Sequence, residues 1–223
     1  MNVLLRRLVR VLPPGRQQSL RQRYLRFRMR NPRYHRANLP EYDRLADWVR
    51  PGDWAIDIGA NIGVYTSRLA ELVGPAGRVI AVEPVPETFS ILANVVADRG
   101  LDQVTLLNAA VGETTQLVGM DIPRAAGFDG YYLASVGPAA GGLNVLCLSL
   151  DALNLPQRVA FVKVDAEGHE LPVLRGMAGL LRRDRPTLLV EVGSDAARDF
   201  LAGLGYRREP IGKSPNALYV PGG

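Results

Sequence analysis

Residues 54–63, which read WAIDIGANIG, constrain the fold more than any other stretch of the chain. Residues 54–57 alternate as a buried strand does and end on a carboxylate. Gly59 and Gly63 follow with Asn61 between them, and residues 64–72 continue with helical periodicity. A buried strand, a tight turn and a helix start in this order form a junction suited to a nucleotide-like ligand. Glycine lets the backbone come close to the ligand, the helix N-terminus offers unpaired N–H groups, and the strand ends of a parallel sheet form a crevice. The dinucleotide fingerprint requires glycines two and five positions after the first; Gly59 is followed there by Asn61 and Val64. The junction therefore favours a ligand without a pyrophosphate. The alternative is a ligand-free α/β fold whose glycines serve only its turns.

Downstream, the same alternation continues. Residues 78–82 (RVIAV) read as a second buried strand ending at Glu83 and Pro84. Glu83 stands twenty positions after Gly63 and can accept both hydroxyls of a ribose, which fits an adenosine ligand without a 2′-phosphate. Residues 86–98 are helical, with Phe89, Leu92, Val95 and Val96 on the core face and Gly100 closing the helix. Residues 104–107, 161–164 and 187–190 are the third, fourth and fifth strands, the last two ending at Asp165 and Glu191. A helix over 195–204 and a hairpin made by 205–208 and 217–220 close the chain, and a helix over 41–49 turns Tyr42, Leu45 and Val49 inward before the junction. Residues 113–150 break the pattern: 116–122, 131–136 and 143–148 read as short strands between glycine-rich turns. Such a β-rich insertion sits above the crevice and chooses the substrate. Within it Tyr131 and Tyr132 point to opposite faces, so at most one stacks on a sugar ring.

Four blocks, DIGANIGVYT, AVEPVPETF, KVDAEGHE and LLVEV, stand in this order and resemble the FkbM family of class I S-adenosylmethionine-dependent methyltransferases, over roughly residues 43–220. The resemblance implies a Rossmann-like α/β fold, with a mostly parallel seven-stranded sheet and an antiparallel C-terminal hairpin. It implies an O-methyltransferase acting on a hydroxyl of a sugar, a glycan or a small biosynthetic intermediate. Asp57, Gly59, Asn61, Gly63, Glu83 and Pro84 then line the cofactor site. Residues 108–111, with Asn108 and Ala110, lie beside the adenine, where small side chains leave room for a flat ring.

An alcohol is a poor nucleophile at neutral pH, so methyl transfer to it calls for a general base or a metal. Asp165 and Glu191 end neighbouring parallel strands about 4.8 Å apart, close enough to share a cation or to couple their titrations. A magnesium ion, which prefers oxygen ligands, suits such a pair. Asp165 has a second reading, as a cap for the next helix or as the partner of the cofactor's amino group. His169 is the third candidate base; placed one helical turn further along, it points away from the cofactor sulfur and ranks behind the carboxylates. Lys163, inside the strand, pairs with a carboxylate.

A chain of 223 residues can bury a full core, and the alternation implies one domain, 41–223, preceded by a basic helical arm over 1–40. Residues 1–50 hold 13 arginines against Glu41, Asp43 and Asp47, whereas the remainder is net acidic. Helices over 1–12 and 19–30 would let the arm dock on an anionic membrane surface or a partner protein; nucleic acid is the less favoured partner. A single cysteine, Cys147, excludes an internal disulfide, and no apolar run reaches the roughly 20 residues of a membrane span, so the expectation is a cytoplasmic protein. Two rival functions remain: an RNA methyltransferase that uses the arm, and a noncatalytic binding protein built on the same fold.

Overall fold

The computed structural model describes residues 35, 39–121, 124–125, 128–129, 135–137, 143–191, 193–212 and 214–222. The two arm helices, Tyr131 and Tyr132 lie outside them. In chain order the first half runs α1 (Leu45–Trp48), β1 (Trp54–Ile58), α2 (Val64–Val73), β2 (Arg78–Val82), α3 (Pro86–Asp98) and β3 (Val104–Leu107). An insertion follows, with β4 (Ala110–Val111), β5 (Gln116–Asp121), β6 (Arg124–Ala125), β7 (Phe128–Asp129), β8 (Ser135–Gly137) and β9 (Leu143–Leu148). The second half runs β10 (Val159–Val164), α4 (Glu170–Arg175), α5 (Ala178–Asp184), β11 (Thr187–Glu191), α6 (Asp195–Gly203), β12 (Tyr206–Pro210) and β13 (Asn216–Pro221).

Seven strands form one sheet in the order β12-β13-β11-β10-β1-β2-β3. Strands β3, β2, β1, β10 and β11 are parallel, while β13 runs antiparallel to both β11 and β12. Parallel strands covered on both faces need apolar residues at nearly every position. Ala55, Ile56 and Ile58 of β1 and Phe161, Val162 and Val164 of β10 are buried accordingly. On one face Leu45 and Val49 from the α1 segment and Leu69 and Val73 from α2 pack on Phe161 and Leu189; on the other, Leu174, Leu181 and Leu201 from α4, α5 and α6 pack on Ile56, Val162 and Leu188. From β1 the chain moves outward through β2 and β3, then returns to β10 on the opposite side of β1. This reversal opens a crevice at the carboxyl ends of β1 and β10, where open α/β sheets bind ligands.

The insertion forms a second sheet, β4-β9-β5-β8, and a small β6-β7 hairpin. Met120, Val145 and Cys147 from this sheet pack with Ala110 and Val85, which anchors it over the β2 end of the crevice. The α1 helix is shorter than the 41–49 span expected, yet Tyr42, Leu45 and Val49 are buried as predicted. Helix α5 has no counterpart in the sequence reading, and its cap explains why. Asp151 accepts hydrogen bonds from the backbone N–H groups of Gly179 at 2.7 Å and Leu180 at 2.8 Å, so the start signal lies 28 residues upstream.

Candidate active site

The β1–α2 turn is built around two left-handed glycines. Gly59 has φ +72°, and a Cβ there would stand 1.9 Å from the Asp165 carbonyl oxygen. Backbone approaching backbone, rather than a ligand alone, therefore demands glycine at this position. The Asp165 N–H in turn donates to the Ile58 carbonyl at 3.1 Å, which holds the two strand ends side by side. At the head of α2, Gly63 has φ +91°, and a Cβ there would stand 2.7 Å from Leu92 Cδ1 of α3. Between them Asn61 adopts φ +51°, and its Oδ1 accepts from the Ile62 N–H at 2.8 Å.

Glu83 closes this turn from β2. Its Oε2 accepts from the Asn61 N–H and its Oε1 from the Val85 N–H, both at 2.9 Å. Burial pushes its pKa up to about 7, against the opposing pull of those two N–H groups. Asn108 braces the same corner by donating to the carbonyls of Glu83 at 2.8 Å and Pro84 at 3.1 Å.

A single concavity joins the strand ends. Of the residues expected at the site, Gly59, Asn61, Glu83, Pro84, Ala110, Asp165 and His169 line it, whereas Asp57, Gly63, Asn108 and Glu191 stand outside its lining. Asp57 lies beneath the turn, wholly buried; its Oδ2 accepts from Thr66 Oγ1 at 2.6 Å, and burial raises its pKa. Ala109, from the 108–111 segment expected beside the adenine, also lines the concavity, and Val85, Met120, Val136 and Glu167, none of which the sequence singled out for this pocket, complete the parts of the wall near the insertion and the β10–α4 loop.

The β10–α4 loop differs most from expectation. The helix starts only at Glu170, and Glu167 and Gly168 take left-handed conformations with φ +46° and +88°. The loop turns His169 back to the pocket wall, close to the insertion: a Cβ on Gly112 would stand 3.3 Å from His169 Nε2. Burial lowers the His169 pKa, opposed by the charge of Glu170. The imidazole is therefore neutral at physiological pH and able to accept a proton. The rim residue Glu167 and the half-buried Glu191 both have raised pKa values, caused first by burial and then by the charge of Asp165. Thus Asp165 and His169, rather than Asp165 and Glu191, share the pocket.

Among the described residues no group of three or more His, Cys, Asp or Glu side chains is arranged to hold a metal ion. Asp165 directs one oxygen to Lys163 Nζ at 3.0 Å and Glu191 stands outside the pocket lining, so the two carboxylates expected to share a cation do not meet in the pocket. The pocket wall is compatible with an adenosine ligand. Glu83 stands where a ribose acceptor belongs, and the small side chains of Ala109 and Ala110 leave space beside it.

Residues 57–208 match the family model described as the methyltransferase FkbM domain. The hexuronic acid methyltransferase AglP of Haloferax volcanii is 31% identical over 141 residues, spanning 62% of this chain and 55% of that protein. A protein-L-isoaspartate O-methyltransferase of Methanopyrus kandleri is 37% identical over 67 residues, 30% of this chain and 29% of that one. The chain thus aligns with about half or less of these relatives' lengths. Among solved structures, methyltransferase FkbM from Methylobacillus flagellatus superposes with a TM-score of 0.56 at 18% identity, covering 81% of this chain and 50% of that one; this likeness concerns the fold.

Proposed function

The chain belongs to the methyltransferase FkbM domain family, and from that premise we propose that it transfers a methyl group from S-adenosylmethionine to a hydroxyl of a saccharide or saccharide-like acceptor. The observation that carries this reading is the pairing, in one pocket, of a buried carboxylate at the end of β2 with an imidazole just ahead of α4. S-adenosylmethionine supplies a methyl group already activated on a sulfonium. Glu83 takes the ribose hydroxyls, each carboxylate oxygen keeping one lone pair beyond its backbone partner. Ala109 and Ala110 flank the adenine, and Asp165 accepts from the ammonium of the methionine moiety. His169 would take the proton of the acceptor hydroxyl as the methyl group leaves sulfur for that oxygen and S-adenosylhomocysteine is released, and the insertion would shield the reacting atoms from water.

Two observations support a saccharide over a polyanionic acceptor. The charged lining of the pocket is acidic, from Glu83, Asp165 and Glu167, which repels a phosphate backbone. The Haloferax relative is a hexuronic acid methyltransferase by name. The basic arm, net positive where the rest of the chain is net negative, serves docking on an anionic surface and not methyl transfer. The test is release of S-adenosylhomocysteine when the full chain and S-adenosylmethionine meet, separately, pooled saccharides, RNA and an isoaspartyl peptide. Turnover with saccharides alone supports the proposal; turnover with RNA or peptide alone contradicts it.

A further inference from the structure

A lysine inside a central strand is the feature of this fold that packing explains least. Lys163 is 1% exposed and lies on β10 directly opposite Asp57 of β1. Desolvating an ammonium is costly, and an apolar side chain would fill the same space, as Phe161 does two residues earlier on the same face. Neutralising the buried Asp57 is the simplest account of the lysine, but the distances rank the two carboxylates the other way. Lys163 Nζ stands 4.0 Å from Asp57 Oδ1 and 3.0 Å from Asp165 Oδ2, and the Asp165 contact is the hydrogen bond. The ring of Tyr65 covers the ammonium at 4.6 Å, and the Tyr65 hydroxyl donates to the buried Glu41 at 2.5 Å. Lys163 is thus held from three sides. Its hydrogen bond reaches the one carboxylate of the pair that lines the pocket, Asp165, whose side chain is 31% exposed.

We propose that Lys163 is a positioning residue for the ammonium-bearing half of the cofactor: it fixes Asp165 Oδ2 and so leaves Oδ1 preset as the acceptor for that ammonium. This rests on the reading of the pocket as an S-adenosylmethionine site. Without the lysine, Asp57 and Asp165 repel each other across a desolvated face, and the Asp165 side chain must be ordered by the ligand itself. Because Lys163 acts through Asp165, its removal weakens only ligands that carry the ammonium.

Calorimetry on the full chain separates this role from a merely structural one. S-adenosylhomocysteine carries the ammonium and 5′-methylthioadenosine lacks it, while both present the same adenosine. Lys163→Met is expected to weaken S-adenosylhomocysteine about tenfold, the order of an ordering cost shifted onto binding, and to leave 5′-methylthioadenosine within about twofold of wild type. Adding Lys163→Met to Asp165→Asn is expected to weaken S-adenosylhomocysteine no further. Equal loss for both ligands, unchanged S-adenosylhomocysteine affinity, or additive losses in the double variant would overturn the proposal. Wild-type protein that binds neither ligand would overturn the cofactor reading and this proposal with it. If Lys163→Met does not fold, the double variant Lys163→Met, Asp57→Asn, which also removes the buried charge that the ammonium neutralises, carries the same comparison.

Discussion

Glu83 offers the most quantitative handle on the site, because its ionisation and its proposed ligand are coupled. Burial holds its pKa at about 7, above the ordinary carboxylate value of 4.5. A carboxylate that accepts two ribose hydroxyls must be ionised, since a protonated oxygen offers its own hydrogen to one of them. At pH 8 roughly nine-tenths of the protein carries ionised Glu83, and at pH 6 roughly one-tenth. The apparent affinity scales with that fraction. Binding of S-adenosylhomocysteine should therefore weaken about tenfold from pH 8 to pH 6, or about 1.4 kcal/mol. Stability of the free protein runs the other way. A folded-state pKa raised above the unfolded one contributes stability that is full below the unfolded value and lost as pH rises through the folded value, here between pH 4.5 and about 7. The thermal shift produced by the ligand should accordingly grow from pH 6 to pH 8. Glu83→Gln tests the cause, because its amide turns a donor towards the N–H of either Asn61 or Val85 and leaves that buried group unpaired, at a cost of about 1–3 kcal/mol. The variant should bind more weakly at every pH and lose the pH dependence. Calorimetry at pH 6, 7 and 8 decides the matter: a flat wild-type profile, or a glutamine variant binding as tightly as wild type, would refute the reasoning.

Three further outcomes are expected. His169→Gln should reduce turnover by about 10² or more, as loss of a general base does, and leave S-adenosylhomocysteine affinity unchanged; because burial lowers its pKa, the acid limb of wild-type kcat at saturating S-adenosylmethionine should lie below the ordinary 6.5 of imidazole. Gly59→Ala should destabilise the fold by about 3 kcal/mol or more in urea denaturation, since its Cβ would meet the Asp165 carbonyl oxygen at 1.9 Å on a backbone with φ +72°; a loss below about 1 kcal/mol would contradict that contact. A chain beginning at Leu39 retains Glu41, whose Oε1 accepts from Tyr65 Oη and from Asn216 Nδ2, but loses the buried His35 that stacks on Tyr42, and should fold with a lowered melting temperature and keep wild-type S-adenosylhomocysteine affinity. Failure of that shortened chain to fold would make the arm part of the domain.

The ends of β2, β10 and β11 were legible in the sequence because apolar residues give way there to Glu83, Asp165 and Glu191, whereas β1 runs one residue past Asp57 to Ile58. Which of those carboxylates meets the pocket was not legible, because it depends on neighbours far away in the chain. Asp57 is claimed by Thr66 and Lys163, and Glu191 is held by strand pairing with Asn216 of the C-terminal hairpin. The β10–α4 loop was misjudged for a local reason. Residues 167–170 have helical composition, but left-handed backbone at Glu167 and Gly168 delays the helix to Glu170 and brings His169 to the pocket wall. Gly168 was the available signal. Lys163 was correctly paired with a carboxylate from sequence, yet its closer partner, Asp165, follows from the β1–β10 register and the local turn and not from composition.

The most direct test of the account is to follow the methyl group itself. The full chain is incubated with S-adenosylmethionine carrying a ¹³C-methyl label and with pooled saccharides, glycosides, RNA and peptides, and the labelled product is isolated and its methyl carbon assigned by NMR. The account predicts a methyl ether on a saccharide hydroxyl, formed by wild type and lost in His169→Gln although that variant still binds S-adenosylhomocysteine. Label found on RNA or as a peptide carboxyl ester, or a saccharide ether formed as fast without His169, would contradict it.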